Sequence, residues 1–209
     1  MMATPELVNR SALDEETARA ELYGLLALLY YAPPTPELMA QLRVAATDAP
    51  AAGAFLEEPW RALVGVAREM ADQDIQSEYN ALFGGIGKPE VYLYGSHFLS
   101  GFLNEKPLAR LRTELAQLGL VRDQHMSETE DHFAYLCEVM RYLIAGEDVA
   151  VANLTRQREF FATHMQPWVM MMCDDIQKHP KARFYAALAE ITRAFMGVET
   201  QGFDMLSAG

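Results

Sequence analysis

Hydrophobic residues recur at helical spacing along almost the whole chain. The clearest stripe consists of Ala18, Leu22, Leu25, Leu26 and Leu29, whose steps of three and four residues place them on one helix face. No run of four to eight residues alternates between apolar and polar positions as a half-buried strand does. The pattern therefore predicts an all-α fold, a single-domain bundle of nine to ten helices over residues 1–209.

Proline, glycine and capping residues divide this pattern into separate helices. Pro33-Pro34 ends the first helix, and Thr35 followed by Pro36 is typical of a helix start. The segment GGIGKPEVYLYGS (84–96) is too rich in glycine and proline to be helical and is predicted to be the one long connection. Residues 1–12 are expected to form an N-terminal segment that could be flexible. The predicted helices cover 17–32, 35–46, 59–71, 75–83, 107–118, 127–146, 148–163, 167–178 and 182–196.

Composition and charge narrow the class of protein. A chain of 209 residues, 51% of them apolar, can bury a core of its own. A net charge of −12 argues against nucleic-acid binding, and leaves solubility and attraction to a basic partner as alternative explanations. The longest apolar runs are too short to span a bilayer, and the polar N-terminus carries no secretory signal. Because Cys137 and Cys173 are expected to be buried free thiols, the prediction is a cytoplasmic protein without a membrane span.

The stretch MSETEDHFAYL (126–136) holds an unusually dense group of titratable residues. Ser127 and Glu130 match the S-x-x-E capping box, so a helix is predicted to begin here. Capping does not account for His132, because a histidinium at a helix N-terminus is disfavoured. We therefore expect His132 to be neutral or paired with a carboxylate.

A row of polar and aromatic side chains continues along this predicted helix. Asp131, Tyr135, Glu138 and Tyr142 follow one another at steps of four, three and four residues. The row flanks the apolar stripe and mixes carboxylates with aromatic hydroxyls, which suits a partner that is both basic and apolar. A solvated helix face is the simpler alternative.

Motifs for metal binding and catalysis do not occur at the required spacing. Glu128 and His132 are four residues apart, whereas the Glu-x-x-His metal motif needs three. The segment 84–90 departs twice from the phosphate-binding loop, since Leu82 stands where the first glycine belongs and Pro89 follows the lysine. No G-x-S-x-G motif or dinucleotide-binding loop is present. The sequence predicts a binding protein and not an enzyme, with no metal site and no cofactor of its own.

Three motifs follow one another in the chain: EYNALFGG (78–85), YLYGSHFLSG (92–101) and ETEDHFAYL (128–136). Together they resemble the TorD/DmsD family of molybdoenzyme-specific cytoplasmic chaperones, the redox enzyme maturation proteins to which NarJ is related. The similarity extends over residues 15–200 and implies a TorD-like all-helical bundle. Thr129 stands where the family has a proline, and Gly95 stands where many members have a glutamate.

The resemblance also implies a function. Members bind the twin-arginine signal peptide, or the body, of an apo-molybdoenzyme and hold it back from export until its molybdenum cofactor is inserted. Molybdenum-cofactor biosynthesis proteins are further candidate partners. An all-α scaffold or dimerisation protein, and an all-α enzyme with weak nucleotide binding, are the alternatives. The sequence leaves open which molybdoenzyme is the client, and whether the chain is a monomer or a homodimer.

A client-binding site follows from the resemblance and from the chemistry of such a peptide. Carboxylates would accept the arginine guanidinium groups, and a helix-lined groove would take the apolar segment that follows them. Asp131 and Glu128 are predicted to accept the basic part, with His132 holding Asp131. The predicted site residues are Glu78, Tyr94, Ser96, Phe98, Glu128, Asp131, His132 and Tyr135.

Overall fold

Ten helices make up the part of the chain that the structure describes, residues 10–47, 56–84, 88–103, 105–122 and 127–207 of a computed structural model. Within these ranges no strand forms, and β-type pairing is limited to an isolated bridge between Tyr94 and His132, so the predicted all-α fold is confirmed. The helices are α1 (Arg10–Tyr31), α2 (Pro36–Val44), α3 (Glu57–Glu69), α4 (Asp72–Leu82), α5 (Gly95–Ser100), α6 (Lys106–Gln117), α7 (Phe133–Ala145), α8 (Leu154–His164), α9 (Val169–Lys178) and α10 (Phe184–Ser207).

The core forms where α1 lies along α7 and where α10 packs on α9 and α3. Tyr30 of α1 and Phe133 of α7 are fully buried, and their ring centroids are 5.1 Å apart in an edge-to-face arrangement. The Trp168 ring also contacts Phe133 edge-on, with a distance of 6.1 Å between the ring centroids. Burial of such large aromatic side chains supplies much of the hydrophobic stabilisation of a domain of this size.

Both cysteines lie inside this core. Cys137 and Cys173 are buried and free, as the sequence predicted. Burial raises the pKa of the Cys137 thiol well above its ordinary value and that of Cys173 to about 12. Both are therefore protonated thiols at neutral pH, which makes them poor nucleophiles.

The start of α7 differs from the prediction. The helix begins at Phe133 and not at Ser127, and the residue that caps it is His132, whose Nδ1 accepts a hydrogen bond from the Ala134 N–H at 3.2 Å. The predicted capping box is wrong, because Ser127 Oγ donates to the Glu128 carboxylate at 3.1 Å. Local spacing suggested a cap, but a turn closed by the bond from the His132 N–H to the Thr129 carbonyl, and the bridge between His132 and Tyr94, keep this segment non-helical up to His132.

Helix α5 was not predicted from the sequence. It begins at Gly95, inside the segment predicted to be non-helical, and ends at Gly101, whose φ of +79° is the left-handed conformation that favours glycine. Residues 84 and 88–94 are non-helical as predicted, whereas 85–87 lie outside the described residues.

Two other helices have bounds that the pattern did not predict. Helix α8 begins at Leu154 and not at 148, because Asn153 caps it through a 3.1 Å bond from the Arg156 N–H. Helix α10 continues past 196 to Ser207, since Phe203 is buried and its ring lies 5.3 Å from that of Phe161. A contact between distant segments thus extends the helix beyond its own local signals.

The N-terminal prediction falls largely outside the structure. Residues 1–9 are not among the described residues, and α1 already begins at Arg10. Of the helices described, none combines the length and the apolar character needed to cross a membrane.

Candidate functional site

Two of the motifs meet in space. The Phe133 N–H donates to the Leu93 carbonyl at 2.7 Å, and the Gly95 N–H donates to the Asp131 carbonyl at 2.9 Å. These bonds hold residues 92–98 against residues 127–135, and we call the two segments together the wall. The wall contains seven of the eight predicted site residues: Tyr94, Ser96, Phe98, Glu128, Asp131, His132 and Tyr135.

Asp131 lies beneath the surface of the wall, with only 3% of its area exposed. Its Oδ2 accepts a hydrogen bond from the Ser96 N–H at 2.8 Å, in the first turn of α5. Its Oδ1 accepts a bond from the Thr129 hydroxyl at 2.6 Å. Both carboxylate oxygens are therefore bonded within the protein, and the Thr129 side chain makes a bond that a proline could not.

His132 is equally buried, with 3% of its area exposed. Burial lowers the pKa of its imidazole to about 4, although the neighbouring charges of Glu128 and Asp131 act to raise it. His132 is thus neutral at neutral pH, which is one of the two states expected from the sequence. Its ring contacts Tyr94 and Tyr31 edge-on, with centroid distances of 5.0 and 6.3 Å.

Glu128 is less deeply buried than Asp131. It is half-buried, and it accepts hydrogen bonds from the hydroxyls of Tyr94 and Ser127. Burial, together with the bond to Glu128, raises the pKa of the Tyr94 hydroxyl well above its ordinary value. The neighbouring Glu130 is paired with Arg112. The Glu128 carboxylate, in contrast, forms no ion pair with any described residue.

Phe98 and Gly95 both lie next to the ring of Trp168. The Phe98 ring stacks on Trp168 with a centroid distance of 5.4 Å, and the Trp168 indole N–H donates to the His164 carbonyl at 2.6 Å. A Cβ atom on Gly95 would lie only 3.1 Å from the indole nitrogen. Any larger residue at 95, including the glutamate common in the family, would require Trp168 to move.

A large groove lies beside the wall, between the end of α1, the start of α2 and the first turns of α7. Its volume is about 700 Å³, and Tyr31 and Tyr135 border it with ring centroids 6.1 Å apart. Its charged lining residues are both acidic, Glu37 and Glu138, and Glu138 is paired with Arg141. The complete lining is Ala27, Leu28, Tyr31, Ala32, Pro33, Pro34, Thr35, Glu37, Leu38, Gln41, Ala134, Tyr135 and Glu138.

A smaller groove of about 440 Å³ lies on the other side of α7, against the end of α6. Tyr135 and Glu138 line both grooves, so they form a ridge between them. The smaller groove has a mixed charge, with Arg122 and Arg141 as well as acidic residues. Its complete lining is Leu115, Leu120, Val121, Arg122, Glu130, Tyr135, Glu138, Val139, Arg141, Tyr142, Ala145 and Gly146.

Glu78 is not brought into the wall. Its carboxylate is directed at the start of α10, where Oε1 accepts the N–H groups of Arg183 and Tyr185 at 2.8 Å each. Oε2 accepts the Phe184 N–H at 3.2 Å. Glu78 thus caps α10 from α4 and is only 7% exposed.

Sequence reasoning missed the residues of the large groove on α1 and α2. Leu28 is 58% exposed although it lies within an apolar run, and Glu37 belongs to a helix start that was interpreted only as a cap. The available signal was the position of Leu28 outside the stripe of Leu22, Leu25 and Leu29. An exposed leucine alone is too common to indicate a site.

No metal site emerges from this geometry. Among the residues that the structure describes, no three His, Cys, Asp or Glu side chains are arranged to hold a metal ion. What the wall and the large groove offer is a half-buried carboxylate, aromatic rings and an apolar trough with acidic edges.

Comparison with known proteins identifies the class to which this fold and site belong. Residues 49–174 match the family described as the nitrate reductase delta subunit. Since this match covers more than half of the chain, the protein belongs to the nitrate reductase delta subunit family. The predicted resemblance to TorD-type proteins is confirmed by curated relatives that carry that name.

The relatives differ in how much of the chain they cover. Chaperone protein TorD of Vibrio cholerae serotype O1 is 25% identical over an alignment of 146 positions, which covers 66% of this chain and 66% of that protein. Chaperone protein TorD of Salmonella arizonae is 22% identical over an alignment of 216 positions, gaps included, which covers 97% of this chain and all (100%) of that protein. A crystal structure from Archaeoglobus fulgidus, assigned to redox enzyme maturation, has a TM-score of 0.53 and 17% identity over 87% of this chain and 93% of its own, and shows a shared fold.

Proposed function

We propose that this protein is a system-specific chaperone that binds the twin-arginine signal peptide of an apo-molybdoenzyme. Family membership and the TorD relatives supply the class of client. The large groove supplies the observation on which the proposal rests, because an apolar trough whose charged lining residues are all acidic suits a basic and apolar peptide.

The two parts of such a peptide have different requirements. Guanidinium groups form charge-assisted, often bidentate bonds with carboxylates, and Glu128 offers one beside the aromatic ring of Tyr94. The apolar part would lie in the large groove against Leu28 and Tyr135. Tyr31 connects the two regions, because its ring contacts both His132 and Tyr135.

The proposed activity is restraint without chemical turnover. A signal peptide held in the groove is withheld from the export machinery, in the cytoplasm, until the client has received its molybdenum cofactor. In this proposal Tyr94, Phe98, Glu128 and Tyr135 meet the client, whereas Ser96, Asp131 and His132 form the buried layer beneath them. Glu78 lies outside this contact surface and holds the start of α10 in place.

A peptide titration tests this proposal. The purified protein would be titrated calorimetrically with a synthetic peptide that carries two consecutive arginines followed by an apolar segment. We expect saturable binding, and a loss of about tenfold or more in affinity when both arginines are replaced by glutamine, because charge-assisted bonds are lost. The same peptide with two aspartates inside the apolar segment is the second control, and it should also bind weakly. Equal affinity for all three peptides would contradict the proposal.

A further inference from the structure

Asp131 is the residue that the family resemblance points to most directly as a contact for the client. Its environment favours a different role, because the side chain is 3% exposed and both of its oxygens accept hydrogen bonds from within the protein. A guanidinium group could reach this carboxylate only if the residues that bury it moved aside. The role of Asp131 is therefore decided by its contacts with Thr129 and Ser96.

The contact with Ser96 substitutes for a missing helix cap. Tyr94 occupies the N-cap position of α5, but its side chain makes no capping bond. The Ser96 N–H is instead satisfied by Asp131 from a segment 35 residues further along the chain. A buried backbone N–H without a partner is costly, so this carboxylate fixes where α5 begins.

The position of α5 in turn fixes two side chains of the wall. Tyr94 precedes the helix and donates to Glu128, while Phe98 lies on the helix and stacks on Trp168 at 5.4 Å. A Cβ atom at Gly95 would lie 3.1 Å from the Trp168 indole nitrogen, so α5 has only the space of a missing side chain between it and the indole. Movement of α5 would therefore displace the aromatic part of the wall.

We propose that Asp131 is a positioning residue, which clamps the start of α5 to the segment before α7 and thereby sets the wall that receives the client, whereas Glu128 is the carboxylate that meets the basic part of the peptide. This inference deepens the proposed function and, where it concerns peptide affinity, rests on it.

A pair of matched substitutions separates the two roles. Asp131→Asn removes the charge but keeps the clamp, because the amide oxygen still accepts the Ser96 N–H and the amide N–H₂ can donate to the Thr129 hydroxyl. Glu128→Gln removes the charge at the surface and keeps the bonds to Tyr94 and Ser127 in the same way. Asp131→Ala removes both the charge and the clamp.

The first readout is affinity for the synthetic peptide with two arginines and an apolar segment. We expect Asp131→Asn to bind within about threefold of the wild type, and both Glu128→Gln and Asp131→Ala to bind about tenfold more weakly. If Asp131→Asn binds as weakly as Asp131→Ala while the Ser96 amide stays protected, the charge of Asp131 is itself the contact and the proposal is overturned.

The second readout does not depend on any peptide. Hydrogen exchange at the Ser96 amide should be slow in the wild type and in Asp131→Asn, and about tenfold or more faster in Asp131→Ala, because only that variant leaves the amide unpaired. Fluorescence of Trp168, measured in a Trp60→Phe background, should change in the same variant. Should Asp131→Ala be too unstable to purify, Thr129→Val removes one bond to the same carboxylate and should show a smaller effect of the same sign.

The two readouts also distinguish this inference from the proposed function. If the wild-type protein does not bind the peptide, the proposed function fails, but the exchange rate of Ser96 still decides whether Asp131 holds α5. Unchanged exchange in Asp131→Ala overturns the positioning role whatever the peptide does.

Discussion

The two grooves on either side of the Tyr135 and Glu138 ridge share part of a helix but differ in charge. The large groove, about 700 Å³, has acidic residues as its only charged lining. The smaller groove, about 440 Å³, contains two arginines. Glu130 is paired with Arg112, and the ridge residue Glu138 is paired with Arg141, so among the acids that line the two grooves only Glu37 of the large groove has no ion pair within the described residues. A basic and apolar peptide should therefore prefer the first groove and be repelled or ignored by the second.

The comparison shows that a shared ridge cannot carry specificity by itself. Substitutions at Tyr135 or Glu138 would affect both grooves, because both residues line both. The residues that distinguish the grooves lie away from this ridge. Leu28 and Glu37 line the large groove, whereas Val121 and Arg122 line the smaller one.

The largest expected effect is on the free energy of unfolding, and it tests whether a loss of stability by itself lowers peptide affinity. Glu78→Ala leaves three N–H groups at the start of α10 without their acceptor, so we expect the free energy of unfolding in urea to fall by about 3–5 kcal/mol. Glu78→Gln should recover part of that loss, because Oε1 alone accepts two of the three bonds. Peptide affinity of the folded fraction should be unchanged in both variants, since Glu78 lines neither groove. A parallel loss of affinity would mean that the groove comparison reflects global stability.

Acid should lower the free energy of unfolding through His132, a buried residue of the wall. The pKa of His132 is lowered by burial to about 4 in the folded protein, against an ordinary value of 6.5. The unfolded chain therefore binds a proton first, so the contribution of His132 to stability is present above pH 6.5 and is lost as the pH falls toward 4. This loss corresponds to about 3 kcal/mol in the free energy of unfolding.

The control for this pH dependence is a variant that keeps the N-cap of α7 but has no imidazole to take up a proton. His132→Asn offers an oxygen that can accept the Ala134 N–H, and asparagine is a good N-cap residue. The free energy of unfolding, measured in urea from pH 7 to pH 4, should decline less steeply in this variant than in the wild type. Identical slopes would contradict a neutral, buried His132.

Charge placed in each groove provides the most direct comparison between them. Leu28 is 58% exposed in the large groove and Val121 is 92% exposed in the smaller one, so arginine at either position should leave the fold intact. Leu28→Arg adds bulk and positive charge where the peptide is proposed to lie, and we expect its affinity to fall about 100-fold. Val121→Arg should change affinity by less than about twofold. Equal losses, or a larger loss for Val121→Arg, would place the peptide elsewhere.

The smallest expected effect concerns the charge at the edge of the large groove. Glu37 is exposed, so Glu37→Gln should weaken peptide binding only about two- to fivefold at low salt, and less at high salt where the charge is screened. Glu130→Gln in the smaller groove is the matched control and should show no salt-dependent change, because that carboxylate is already paired with Arg112. Titrations at two salt concentrations would measure both.

Much of the fold was predictable because helix signals are local. The cap of α2 is an example, since Thr35 accepts the Leu38 N–H at 3.2 Å and Pro36 begins the helix as expected. The position of α7 was predicted, but its start was wrong by six residues, since the pairing of His132 with Tyr94 cannot be recognised from spacing. Helix α5 escaped prediction for the same reason, because its cap is provided by Asp131.

The candidate site was predictable in its parts more than in its arrangement. The motifs at 92–101 and 128–136 were both identified from the sequence, and the structure brings them into contact. The sequence did not distinguish the half-buried acid Glu128 from the buried acid Asp131, since both are carboxylates in one short stretch. It also gave no indication that Glu78 is directed at α10.

The amino-acid sequence by itself determined the helical class, the free buried thiols and the order of the motifs, because these depend on residue type and on spacing along a few turns. Only the tertiary structure decided which carboxylate is left near the surface, which helix each buried acid caps, and which residues of α1 and α2 share a groove with α7. Those features depend on segments far apart in the chain, such as Ser96 with Asp131, and their contacts form only when the core has packed.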